Sequence, residues 1–174
     1  HGITIGDCLR TVREARREGL TVPVILMGYY NPLIAYGQSK VVRDAAAAGA
    51  QGFIVVDLPP EHSEEFRGAC TATGMAVIPL IAPTSRPARI KHLCEYGTGF
   101  AYCIAVTGVT GARNALPVDL SSYVALVRST TALPLCVGFG VSTKEHFDTL
   151  SPIADGIVIG SAIIKAISAG EKDG

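Results

Sequence analysis

Apolar residues follow two alternating rhythms along this chain. Short runs in which nearly every residue is apolar, as at 22–27, 133–137 and 156–159, are separated by stretches with one apolar residue every three or four positions. The first rhythm predicts strands covered on both faces, and the second predicts helices with a single buried stripe. Strands are predicted to begin near residues 22, 52, 75, 99, 133 and 155. Helices are predicted just after Thr4, ending at Gly19, and then over 38–48, 61–73, 86–95, 117–129, 142–150 and 161–168. Thr4 with Asp7 reads as the cap of the first helix, whose stripe is Ile5, Cys8, Leu9, Val12 and Ala15. Ser142 with Glu145 reads as a second capping box, and Pro60 and Pro87 sit where a first-turn proline is tolerated.

Strict alternation of buried strands with helices implies parallel pairing, because a parallel neighbour needs a crossover. An open doubly wound sheet and a (β/α)8 TIM barrel both satisfy this. The G-x-G-x-x-G fingerprint of the doubly wound dinucleotide folds does not occur. Polar or proline-bearing segments follow the strands instead, at Tyr29-Tyr30-Asn31-Pro32, Asp57-Leu58-Pro59-Pro60 and Ile81-Ala82-Pro83-Thr84, as a ring of loops around one barrel mouth requires. The barrel is favoured. Six strands are read where a barrel needs eight, and 174 residues fall short of the roughly 250 of a typical member. The expectation is therefore a single partial TIM-barrel domain over 1–174, with the first two strands and the helix between them preceding His1.

Composition narrows the function classes. Fifteen basic residues balance fifteen acidic ones, which argues against a nucleic-acid footprint. No apolar run approaches the roughly 18 residues of a membrane span, and no leader pattern is present, so a cytoplasmic protein is expected. Cys8, Cys70, Cys94, Cys103 and Cys136 are widely spaced and lie in apolar patterns, so buried free thiols are expected, and neither a disulfide framework nor a metal site.

The candidate chemistry lies in the last third. Gly108-Val109-Thr110-Gly111, Gly138-Phe139-Gly140 and Gly160-Ser161 each follow a predicted strand, the last two directly before a helical pattern. Glycine lets the backbone approach a ligand, and a helix N-terminus offers unpaired N–H groups to an anion. Barrel enzymes frequently bind phosphate at the loops after their last two strands.

Several of these segments together resemble one family. Pro23-Val24-Ile25-Leu26-Met27-Gly28-Tyr29-Tyr30-Asn31-Pro32, Gly52-Phe53-Ile54-Val55-Val56-Asp57-Leu58-Pro59, Gly108-Val109-Thr110-Gly111-Ala112-Arg113, Val137-Gly138-Phe139-Gly140-Val141 and Ala154-Asp155-Gly156-Ile157-Val158-Ile159-Gly160-Ser161-Ala162 resemble, in the same order, the α subunit of tryptophan synthase. Ala105 departs from the family, whose members usually carry serine there.

The resemblance implies a lyase of tryptophan biosynthesis that cleaves indole-3-glycerol phosphate to indole and glyceraldehyde 3-phosphate. Indole then passes to a β subunit, or a fused β domain, which uses pyridoxal phosphate to join it to serine; the α part itself carries no cofactor. It implies that Gly111, Gly138, Phe139, Gly140, Gly160 and Ser161 hold the substrate phosphate, and that Thr110 lies on a loop closing over the site. Tyr102 is implied as a supporting catalytic residue, Tyr29 and Ile54 as lining of the indole end, and Asn31, Asp57 and Pro59 as the rim that meets the β subunit. The family's two catalytic acids, a glutamate and an aspartate, are implied to precede His1, so the chain alone is expected to be inactive or nearly so.

Two other readings stay open at this point. One is a non-catalytic module that docks on and activates a β subunit; the other is a different phosphate-binding TIM-barrel enzyme, such as an epimerase. A barrel lacking two strands has two open parallel edges, so the 174-residue polypeptide on its own is expected to be loosely folded or to self-associate. A sharp, concentration-independent melt with monomeric mass in sedimentation would overturn that expectation.

Overall fold

The structure is a computed structural model and describes residues 2–58, 61, 63–105, 120–138 and 140–170. The chain forms two compact units, one built from residues up to Pro79 together with Tyr96–Gly99, the other from Leu80–Glu95 and the chain from Phe100 onward.

The first unit opens with α1 (Ile5–Arg17). The Thr4 hydroxyl accepts the Asp7 N–H at 3.2 Å while the Asp7 carboxylate accepts the Thr4 N–H at 2.9 Å, the reciprocal cap expected from the sequence. Bonds from the Thr4 side chain and backbone, with Arg10 alongside, hold the Asp7 carboxyl at about 2 rather than the ordinary 3.8. Leu9 and Val12 are buried, whereas Cys8 is exposed.

Three strands follow in chain order, β1 (Ile25–Gly28), β2 (Gly52–Val55) and β3 (Ala76–Val77), all parallel. The helices between them are α2 (Tyr30–Tyr36), α3 (Gln38–Ala48) and α4 (Glu64–Thr73). Helix α2 was not expected: the Tyr29–Pro32 segment read as a loop, but a proline in a first turn gives up only an N–H that has no helical partner, so Pro32 does not stop it. Val41, Val42, Ala45 and Phe66 are fully buried from these helices, and Phe66 meets Phe53 edge-on at 5.2 Å between ring centroids. Gly52 lies so close to β3 that a Cβ there would sit 2.7 Å from the Ala76 carbonyl oxygen.

A single guanidinium ties the entry side of this unit together. Arg16 donates to the Gly49 carbonyl from Nε at 3.0 Å and Nη2 at 2.9 Å, and to the Leu20 and Val22 carbonyls at 2.5 and 2.8 Å. It also donates to Gln51 Oε1 at 2.7 Å, an oxygen that accepts the Val24 N–H as well. The end of α1, the end of α3 and the starts of β1 and β2 thus share one planar cation.

The second unit carries β4 (Leu80–Ile81), β5 (Ala101–Ile104), β6 (Leu135–Gly138) and β7 (Gly156–Val158), paired in that order and all parallel. The one strand expected from residue 75 is therefore two short ones, β3 and β4, with Ile78 and Pro79 between them; Pro79 has no N–H to give a ladder. Helices α5 (Pro87–Tyr96), α6 (Leu120–Thr130), α7 (Lys144–Leu150) and α8 (Ser161–Gly170) accompany these strands. Ile81, Ile90, Ala101, Cys103, Tyr123, Val127, Leu135 and Val137 form the core. The cap of α7 is Thr143 and not Ser142: the Thr143 hydroxyl accepts the His146 N–H at 3.3 Å, and Ser142 instead donates its N–H to His146 Nδ1. All five cysteines are free thiols; burial pushes Cys70 up to about 12 and Cys103 to about 11.

Arg16→Ala is expected to lower the stability of the folded chain by about 2 kcal/mol, and Arg16→Lys to recover less than half of it, because an ammonium cannot reproduce the fork. The midpoint of urea unfolding measures both. Asp7 has a folded value below its unfolded one, so its stabilisation is complete above about pH 4 and fades as pH falls toward 2. Helicity followed through that window, with Asp7→Asn as the reference, is expected to show the loss only when Asp7 is present.

Candidate functional site

In the second unit, Gly138 and Tyr102 lie on one ladder, and Gly140, Gly160 and Ser161 lie just beyond the ends of its strands. Gly138 ends β6 and pairs with Val158, the last residue of β7. Gly140 and Gly160 lie two residues beyond this pair, one after each strand, and so leave neighbouring strands at the same level. Gly140 has φ +93°, a conformation that a side chain would strain. Gly160 has open space where a Cβ would stand, and Ser161 directly after it begins α8. The first N–H groups of a helix have no carbonyl behind them within the helix, so the start of α8 presents donors at the outlet of β7.

Gly138 is held free of any side chain by its neighbours. A Cβ there would lie 2.5 Å from Val158 Cβ, 2.8 Å from the Val158 oxygen and 3.0 Å from the Tyr102 hydroxyl. Tyr102, on β5, is 5% exposed, and its phenol reaches across to the end of β6. Burial, with a smaller effect from Cys136 alongside, raises its ionisation above the usual tyrosine range, so the hydroxyl keeps its proton at neutral pH and is available as a donor.

In the first unit, Tyr29 and Ile54 line one apolar cavity of about 140 Å³, together with Leu26, Met27, Pro32 and Phe53 among others. Sequence reasoning missed Met27 and Pro32. The signal for Met27 was present, since the parallel register sets it directly opposite Ile54. Asn31 is exposed in the first turn of α2. Asp57 accepts the Tyr30 N–H at 2.7 Å, so its carboxylate links the segment after β2 to the start of the helix after β1. Thr110, Gly111, Phe139 and Pro59 lie outside the described residues.

The other acidic side chains near strand ends are engaged in backbone caps. Asp155 accepts the Leu135 N–H at 2.7 Å and Arg128 Nη2 at 2.9 Å, and these two donors hold its carboxyl below the ordinary range. Glu145 is lowered by its own backbone N–H and by Thr143. Among the described residues no group of three His, Cys, Asp or Glu side chains is placed to hold a metal ion. Among them too, no helix is long and apolar enough to cross a membrane.

The comparisons with known proteins agree with one another. The family model described as tryptophan synthase alpha chain matches residues 1–174. The tryptophan synthase alpha chain of Chloroflexus aurantiacus is 46% identical over 164 residues, which are 94% of this chain and 62% of that one. The tryptophan synthase of Saccharomyces cerevisiae is 46% identical over 165 residues, again 94% of this chain but 23% of that protein. The chain thus spans less than two thirds of the length of these relatives. Among solved structures, the alpha subunit from Legionella pneumophila superposes with a TM-score of 0.85 at 34% identity, over 99% of this chain and 64% of that one. A chain of the tryptophan synthase α2β2 complex from Pyrococcus furiosus gives 0.86 at 34% identity, over 97% and 68%. Parallel strands in chain order with a helix at each crossover are the (β/α)8-barrel class expected from the sequence, and the structural matches bear this out. With a family model matched along its whole length, the chain belongs to the tryptophan synthase alpha chain family.

Proposed function

We propose that the second unit of this chain supplies the phosphate end of a lyase site that cleaves indole-3-glycerol phosphate to indole and glyceraldehyde 3-phosphate, in cytoplasmic tryptophan biosynthesis. The observation that carries this is the paired exit of β6 and β7: Gly140 and Gly160 leave adjacent parallel strands at one level, beside the start of α8. A phosphate there is held by backbone donors and the positive end of the helix, without a cationic side chain. At an exposed start such as that of α8 the helix end is worth about 0.3–1 kcal/mol toward an anion at low salt.

Tyr102 then stands behind the phosphate loops with a protonated hydroxyl, where it orients the glycerol chain or the ring undergoing cleavage. Carbon–carbon cleavage needs one proton delivered to the indole carbon and another managed at the hydroxyl that becomes the aldehyde. By resemblance those transfers fall to a glutamate and an aspartate, and the part of the residues described above is binding, orientation and exclusion of water. The first unit's cavity, lined by Tyr29, Ile54 and Met27 among others, is apolar in the way an indole ring requires. Asn31 and Asp57, on the segments leaving β1 and β2, form the surface offered to a β chain, whether separate or fused. Pyridoxal phosphate belongs to that chain's condensation of indole with serine.

An indole-alkyl phosphate titrated into the protein, followed by its own fluorescence, is expected to bind saturably and to be displaced by excess glycerol phosphate; the chain contains no tryptophan to interfere. In the full-length protein that carries the two acids, Gly138→Ala is expected to lower kcat/KM on the order of a hundredfold, because the new methyl cannot coexist with Val158 and the Tyr102 hydroxyl in their present places. Ligand binding that glycerol phosphate leaves untouched, or an unimpaired Gly138→Ala enzyme, would sink the assignment.

A further inference from the structure

Strand β4 has only two residues, and its pairing with β5 consists of Leu80 opposite Tyr102 and Ile81 opposite Cys103. Two pairs are a weak hold on a strand that carries part of the site sheet. The fold adds a third hold from the helix side. Tyr123, buried on α6, donates its hydroxyl to the Ile81 carbonyl at 2.7 Å, across 42 residues of chain. Cys103, near the end of β5, lies in the same buried cluster as Tyr123. One side chain therefore bonds the last residue of β4 and packs in the core behind the end of β5.

Neighbouring residues of a strand point to opposite faces. Cys103 packs with Tyr123 in the helix-side core, so Tyr102, one residue earlier, belongs to the other face and reaches Gly138 there. We propose that Tyr123 is a positioning residue for the reaction: by clipping the end of β4 to the end of β5 from behind, it fixes the place from which the Tyr102 phenol reaches the phosphate end of the site. The inference rests on the reading of Tyr102 as the site tyrosine. An apolar ring alone would fill the same core space, so the hydroxyl, and not the bulk, is the feature that acts.

The test is Tyr123→Phe in the full-length protein that carries the two acids, compared with Val127→Ala, which thins the same helix core without touching the clip. Both are assayed well below their melting temperatures. Tyr123→Phe is expected to speed hydrogen exchange at the Ile104 amide on the order of tenfold and to shift the Tyr102 ring resonances. It is also expected to lower kcat on the order of tenfold while KM stays within about twofold, the pattern of a misplaced reacting group. Val127→Ala is expected to lower stability but to keep the exchange rate, the ring signal and kcat. Unchanged Ile104 exchange and Tyr102 resonances in Tyr123→Phe would overturn the proposal, as would an equal loss of kcat in Val127→Ala. A third variant, Tyr102→Phe, separates this inference from the one beneath it. If the clip loosens and the Tyr102 signal moves while Tyr102→Phe cleaves normally, the clip stands and the role of Tyr102 in cleavage falls.

Discussion

Strands β6 and β7 run so close at their ends that Gly138 has no room for even a methyl group. Both the ladder and the candidate site depend on that spacing. Val158 fills the place from one side and the Tyr102 hydroxyl from another, so three strands share one point of contact at the level where Gly140 and Gly160 leave the sheet. A side chain at Gly138 would have to move a strand or a phenol, and the donors beyond it would move too. The same economy recurs at Gly52 against Ala76 and at Gly156, whose Cβ position lies 2.8 Å from the Cys136 sulfur. Close approach between neighbouring strands, more than loop flexibility, is the reason for glycine at these positions.

Polar side chains hold the opposite ends of the strands. Arg16 gathers carbonyls from the ends of α1 and α3 and from the entry to β1, and Asp155 takes the first N–H of β6 together with Arg128. Neither cluster belongs to the candidate site. Each satisfies backbone groups where a helix gives way to a strand and regular pairing has not begun. The strand outlets carry the glycines, the helix starts and the Asp57 bond to Tyr30.

The alternation of strand and helix was legible from the two hydrophobic rhythms, and the loops after the strands were legible from glycine and proline. The departures have local causes. Helix α2 was hidden because Pro32 reads as a breaker, although in a first turn it is not one. One expected strand became β3 and β4 because Pro79 interrupts the donors, which hydrophobicity alone does not register. The α7 cap moved by one residue because Ser142 and Thr143 are equally suited to the role, and His146 decides between them by taking the Ser142 N–H. In the site, Gly138, Gly140, Gly160, Ser161 and Tyr102 stood out in sequence. The Tyr123 clip did not, since a tyrosine on the buried stripe of a helix looks like any other core aromatic until its hydroxyl is seen against a strand 42 residues away.

Within each ladder the strands lie side by side in the order in which they occur in the chain. A ribosome releasing this polypeptide therefore lengthens each sheet at one edge only. After β1 and β4, which begin the two ladders, each strand that emerges finds its partner already made. Within a ladder the chain need not wait for a distant segment before extending the sheet, which shortens the time that an inner edge stands open.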